Sequence, residues 1–157
     1  MRRCFWGFIL LIIFSNNLSS QIRSKLPNDV GMELAGKSLI YSFSGQYTIS
    51  NRIGLSGGIS LFGMSEEGDN NLVIFVPMGA RFYFLKKNAS PYFTSGIVLL
   101  NLAPMLLLFK SEEKYNYFGL GFEYRADSGI LVRGTLYCLQ NENYFLIWPG
   151  IHVGFAF

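Results

Sequence analysis

The last ten residues, Trp148 to Phe157, alternate in a way that leaves little choice of local structure. Ile151, Val153, Phe155 and Phe157 hold the odd positions, and Gly150, His152, Gly154 and Ala156 the even ones. A period of two belongs to a strand, whose successive side chains point to opposite faces. One face is therefore large and apolar, the other small or polar. An apolar face that continues to the final phenylalanine must meet something greasy, either a packed core or lipid.

The same alternation fills the chain from Val30 onward. Val30, Met32 and Leu34 oppose Gly31, Glu33 and Ala35; past Gly36-Lys37 the phase moves, and Leu39, Tyr41, Phe43, Tyr47 and Ile49 oppose Ser42, Ser44, Gln46 and Thr48. A phase flip across a glycine is a hairpin or a bulge. Further alternating runs occupy 52–63, 71–85, 91–101, 115–125 and 130–138. Pro77 weakens the second of these, 71–85, as a strand, because proline donates no ladder hydrogen bond. A hairpin at Gly36-Lys37 gives eight strands, whereas one continuous strand from Val30 to Thr48 gives seven. With eight, short connections (Ser50-Asn51, Lys86 to Ser90, Ala126 to Gly129) alternate with longer ones (Ser65 to Asn70, Leu102 to Glu113, Gln140 to Tyr144). Short turns on one side and longer loops on the other are the signature of a membrane barrel, and an odd count breaks it.

No helical period competes with this reading, and 17% aromatic residues with 17 glycines favour strands. The net charge of +3 is spread along the chain, so it leaves no nucleic-acid footprint. Walker-type and dinucleotide-binding glycine motifs are absent from the sequence. Arg2-Arg3, the apolar run Cys4 to Phe14 and the small polar exit Ser15 to Gln21 read as a secretory signal peptide over residues 1–20, leaving one domain over 21–157. The apolar run is shorter than the roughly 20 residues a spanning helix needs. Cleavage after Ser20 leaves Cys138 as the lone cysteine, which excludes an internal disulfide and a two-thiol site.

With this pattern and the terminal aromatics Phe155 and Phe157, the chain after residue 20 resembles the small eight-stranded bacterial outer-membrane β-barrel family. The resemblance implies an all-β, antiparallel, up-and-down transmembrane barrel in the outer membrane of a Gram-negative bacterium, reached by export through the periplasm. It also implies outer-membrane lipid around the barrel, and Phe155 and Phe157 as the signal read by the barrel-insertion machinery.

In such a barrel the large apolar faces turn outward, since an eight-stranded interior is only just wide enough for side chains. Tyr47, Phe82, Phe84, Phe93, Tyr124, Phe155 and Phe157 then form an aromatic girdle near one membrane interface. Glycine and serine fill the lumen together with Glu33, Arg52, Arg81, Glu123, Arg125 and Arg133. Charges in so narrow a space must be paired or hydrated, giving either a selective path or a salt-bridged, plugged lumen. The strand count favours the plug, because open channels belong to barrels of ~16 strands. Glu123 and Arg133 lie at similar distances from the turn between them, so they are expected to be cross-strand neighbours.

His152, the single histidine, would need a hydroxyl or carboxylate partner to act as a general base, and no Ser-His-Asp spacing is present. It reads instead as a hydrogen-bonded lumen residue. Cys138 reads as a small lipid-facing hydrophobe. Glu66, Glu67 and Asp69 can be calcium ligands or a solvated loop; without a second carboxylate cluster the loop is the better reading. The expectation is a barrel with a structural or surface-interaction role carried by its external loops, with no enzyme site, cofactor or metal. The alternative is a soluble periplasmic lipocalin-like barrel binding an apolar ligand, with the faces reversed.

Overall fold

The computed structural model describes residues 22–66, 69–103, 113–142 and 144–157. The leader read in residues 1–20, the middle of the acidic loop and residues 104–112 of the apolar connection lie outside the described residues. Among the described residues, eight strands close in sequence order into an antiparallel barrel. They are β1 (Asn28–Ala35), β2 (Tyr41–Ser50), β3 (Ile53–Glu66), β4 (Asp69–Tyr83), β5 (Ala89–Ala103), β6 (Glu113–Arg125), β7 (Ile130–Gln140) and β8 (Phe145–Ala156). Closure joins β8 to β1 from Ala156 opposite Asp29 to Gly150 opposite Ala35. Reciprocal backbone bonds between Asn28 and Phe157, 3.0 and 2.9 Å long, seal the seam.

The short connections β2–β3, β4–β5 and β6–β7 share one end of the barrel with both ends of the described chain, here the turn end. The opposite, loop end carries the other four. The sequence alternation becomes the division between inside and outside: Phe43, Leu55, Leu120, Leu136 and Val153 are exposed, while Ser42, Glu33, Arg133 and His152 are buried. Pro77 does not end β4. The β3 ladder lapses between Met78 and Phe75, while the β5 ladder runs on with Pro77 opposite Val98. The missing donor thus costs one local interruption on one side.

Two segments that flank the alternating run of β1 enter the interior. Residues 22–29, which precede the alternation that begins at Val30, form a single helical turn, α1 (Ile22–Lys25), and then the start of β1; Ile22 and Arg23 are buried. The Gly36-Lys37 turn is a hairpin connection built on a 3₁₀ turn, Gly36–Ser38, with all three residues buried. Ala35 and Leu39, which flank it, are non-glycine residues at positive φ, 55° and 70°. Such conformations cost of order 1–3 kcal/mol each, so the surroundings must hold them.

That first hairpin is also short. β8 pairs with β1 only as far as Gly150, so Phe145–Pro149 pair on the β7 side alone. Likewise β3 pairs with β2 only as far as Ile59, and Ser60–Glu66 pair on the β4 side alone. The wall therefore has a notch at its loop end, bordered by the upper parts of β8 and β3. Unpaired strand edges need blunting. Pro149 removes a donor just where β8 loses its β1 neighbour. The Tyr41 hydroxyl donates to the Leu61 carbonyl at 2.6 Å, and the Trp148 indole N–H donates to the Leu39 carbonyl at the hairpin tip at 3.0 Å.

Candidate functional site: the charged interior

The turn-end half of the lumen is built around β1, β6 and β7, whose inward positions bring carboxylates and guanidinium groups to one level. Glu123 lies directly opposite Arg133 in the β6–β7 ladder, and Arg133 Nε meets Glu123 Oε2 at 2.6 Å. Arg125, two residues along β6, pairs through Nη2 with Asp29 Oδ2 at 2.8 Å and places Nε 3.5 Å from Glu123 Oε1. Arg133 spans both carboxylates, reaching Asp29 through Nη1 at 3.0 Å and through Nη2. Arg23 adds a third cation from α1, its Nε 2.9 Å from Glu123 Oε1 and its Nη1 bonded to the Leu85 and Lys87 carbonyls at 3.1 and 2.8 Å. Its guanidinium also lies over the Tyr83 ring, 4.1 Å from the centroid, and the Tyr83 hydroxyl donates to Glu123 Oε2 at 2.7 Å. Glu123 is thus the hub of the cluster, with three guanidinium groups and a phenol around it.

A second, smaller cluster lies toward the loop end. Lys37 Nζ, brought inward by the 3₁₀ turn, meets Glu33 Oε2 at 2.7 Å, and the Tyr137 hydroxyl donates to Glu33 Oε1 at 2.6 Å. Between the clusters, Arg81 donates to Gln46 Oε1 and lies over Tyr92, 5.6 Å from the ring centroid; it has no carboxylate partner among the described residues. Tyr92 and Thr135 share a hydrogen bond across β5 and β7.

Of the six charges assigned to the lumen from sequence, the structure brings Glu123, Arg125 and Arg133 into one cluster. It places Glu33 in the second cluster and Arg81 alone between them. Arg52 is a correction: it stands exposed in the β2–β3 turn, because β3 begins only at Ile53 and the residue before it is not yet committed to a face. Sequence reasoning missed Arg23, Asp29 and Lys37, all buried. Arg23 and Lys37 sit in segments without alternation, so no facing rule applied to them, and Asp29 takes the inward phase of Gly31 and Glu33 one residue before the run that begins at Val30. A filling of glycine and serine is also only part of the interior, since Tyr83, Tyr92, Tyr117 and Tyr137 are buried there too. Counting these buried groups gives five cations (Arg23, Lys37, Arg81, Arg125, Arg133) against three carboxylates (Asp29, Glu33, Glu123).

His152 is buried on β8, with Nδ1 3.4 Å from Ser44 Oγ and Nε2 without a hydrogen-bond partner. Glu33, opposite it in the β1–β8 ladder, has its oxygens engaged by Lys37 and Tyr137. The three residues therefore form no relay of the serine-hydrolase kind, in which the carboxylate orients the histidine. Cys138 is a free, half-buried thiol. Among the described residues no group of His, Cys, Asp and Glu is placed to hold a metal ion.

Among solved structures, the chain is similar to the N-terminal β-barrel domain of Pseudomonas aeruginosa OprF, with 15% identity and a TM-score of 0.56 over 83% of this chain and 94% of that one. The fold is that of the small eight-stranded outer-membrane barrels. The de novo designed protein TMB2.3 is similar as well, with 12% identity and a TM-score of 0.52 over 83% of this chain and 94% of that one. No protein-family model and no curated protein matches the sequence. At such identities the likeness resides in backbone and alternation, and the charge clusters must be argued from this chain alone.

Proposed function

We propose that the chain is an outer-membrane barrel with a plugged lumen, serving the envelope as a structural or surface-interaction protein rather than as an enzyme. One observation carries this reading. Apart from Lys114 at the loop end of β6, no outward position of the described strand residues 28–63, 72–100 and 114–156 holds Asp, Glu, Lys or Arg, whereas inward positions hold both charge clusters. A surface so uniformly apolar is insoluble in water and suited to hydrocarbon, and a closed barrel satisfies its backbone polar groups without water. The soluble lipocalin-like alternative requires the opposite distribution, with charge outside and an apolar interior throughout.

The plug rests on the turn-end cluster, where Arg23, Asp29, Glu123, Arg125 and Arg133 are all buried and joined across the interior by ion pairs. Outer-membrane lipid and the barrel-insertion machinery are the partners this reading requires, with Phe155 and Phe157 at the end of the closing strand as the insertion signal. Surface partners would meet the loop end. The test is fractionation of expressing cells followed by a heat-modifiability gel. Recovery in the outer-membrane fraction, with a compact band that shifts on boiling, is the expected result. Recovery in a soluble fraction without detergent would overturn it.

A further inference from the structure

The loop-end half of the lumen differs in kind from the charged half. Val73, Phe75, Val98, Tyr117, Tyr137 and Leu139 form a buried apolar cluster inside the barrel, with Leu39, Phe62, Leu100, Tyr115 and Trp148 packed against it. Beside it lies a cavity of about 240 Å³ walled by Leu39, Phe75, Leu100, Tyr115, Leu139 and Leu146. Its rim is polar, with Gln140 from the end of β7 and Asn141 and Tyr144 from the β7–β8 connection. Beneath it, the Tyr115 hydroxyl donates to the Lys37 carbonyl, so the 3₁₀ turn separates the cavity from the charges.

The notch in the wall reaches this cavity. Leu39 is at the tip of the short hairpin and Leu146 is on the stretch of β8 that has lost its β1 neighbour. Leu146 has the inward phase of His152 and Trp148 yet is 42% exposed, because no strand covers it from the side. The unpaired stretch Phe145–Pro149 is roughly 15 Å long at about 3.3 Å per residue, so the opening is an elongated slot. Around it the outward positions are Phe145, Ile147 and Leu61, which are exposed and apolar.

We infer that this cavity binds one unbranched alkyl chain of a membrane amphiphile, entering sideways through the notch and leaving its polar head at Gln140 and Asn141. The inference rests on the membrane reading above, because the notch then opens into hydrocarbon. An apolar cavity stays dry and takes apolar guests, and one of about 150 Å³ already accepts benzene. A volume of about 240 Å³ is larger than that, but smaller than the roughly 300–1,000 Å³ of sites for whole drug-sized molecules. A single chain segment matches both the volume and the slot. Among the described residues, the one hydroxyl in the wall away from the rim, that of Tyr115, is already donated to Lys37, so the polar groups concentrated at the rim match an amphiphile with one head.

Trp148, which packs against the apolar cluster beside the cavity, is one of two tryptophans, so Trp6→Phe in the full chain leaves it as the sole reporter. The protein is reconstituted in saturated phosphatidylcholine vesicles and titrated with a fatty acid brominated near its chain end. Quenching of Trp148 is expected to saturate at low mole fraction and to be reversed by the same acid without bromine. A second reporter, Leu120→Trp with Trp6→Phe and Trp148→Phe, faces outward, and its quenching should rise linearly. Leu100→Phe, which fills the cavity, should abolish the saturable component. Leu139→Ala, which enlarges it, should shift the preferred acid to a longer chain, a gain that misfolding cannot produce. Linear quenching of Trp148, equal in the Leu100→Phe protein, would overturn this inference alone. Absence of quenching at the Leu120→Trp reporter would overturn the membrane reading and this inference together.

Discussion

Arg133 Nε and Glu123 Oε2 are 2.6 Å apart across directly opposed positions of β7 and β6, but the pair does not stand alone. Glu123 also accepts from Arg23 and Tyr83, and Arg133 also reaches Asp29. Removing one member of a buried ion pair leaves its partner uncompensated at a cost of about 3–5 kcal/mol. Glu123→Gln takes a carboxylate from three guanidinium groups, leaving Arg23 with none and Arg125 and Arg133 to share Asp29, whereas Arg133→Met leaves two carboxylates that still have Arg23 and Arg125. The expected order in equilibrium unfolding from detergent is therefore Glu123→Gln more destabilising than Arg133→Met. The double variant should be more stable than the sum of the two losses allows, without returning to the wild-type value. Small, additive effects would mean that water fills the lumen at this level.

Leu120 tests the outer face. It is 65% exposed on β6, in the interior of an uninterrupted apolar band, while Tyr124 lies four positions nearer the turn end. An arginine facing lipid costs about 2–4 kcal/mol at the bilayer midplane and about 0–1 near an interface. Leu120→Arg should lower stability in lipid vesicles by an amount in the first range, and Tyr124→Arg by one in the second. Equal and negligible effects would indicate that this face meets water.

Much of this barrel was legible because period-two alternation needs no tertiary information. The outward set Phe118, Leu120, Phe122 and Tyr124 and its inward counterpart Tyr117, Gly119, Gly121 and Glu123 follow from β6 alone. The same rule explains the opposition of Glu123 and Arg133, since strand phase and turn position together determine the register. It fails where alternation stops. Arg23 and Lys37 lie on a helical turn and a 3₁₀ turn, where facing is decided by what the barrel leaves open beside them. Arg52 fails for the converse reason, having been given a strand phase although it belongs to a turn. The apolar half of the lumen was written in the sequence in another form. Leu72 to Val76, Ile97 to Leu100, Leu136 to Leu139 and Phe145 to Trp148 are runs in which the alternation between apolar and polar residues collapses. All of them lie toward the loop end, so both faces are apolar there.

Ala35 offers a test of strain at the first hairpin. Its φ of 55° and ψ of −127° suit glycine and disfavour a residue with a Cβ. Ala35→Gly relieves that conformation but gives the unfolded chain more freedom, and the former is worth about 1–3 kcal/mol against under ~1 kcal/mol for the latter. A net stabilisation of about 1 kcal/mol is expected in the same unfolding assay. A loss of stability would show that the methyl group contributes packing that outweighs its strain.

Glu33 and Lys37 provide the counterpart to the Glu123 cluster, because their 2.7 Å ion pair is the sole salt bridge of either residue among the described residues. Lys37→Met should cost about 3–5 kcal/mol by leaving a buried carboxylate with the Tyr137 hydroxyl as its strongest remaining donor. In Glu33→Gln with Lys37→Met, the charge is gone from both sides and a glutamine carbonyl oxygen can still accept from Tyr137. The methionine can occupy the volume left by the lysine stem. This double variant should therefore recover most of the loss, in contrast to the Glu123 and Arg133 pair, where Arg23, Arg125 and Asp29 remain charged after both changes. The comparison of the two double-mutant cycles is the sharper measurement. Equal recovery in both would mean that Arg23 and Arg125 contribute nothing to the hub, and that α1 does not seat in the barrel as its buried arginine indicates.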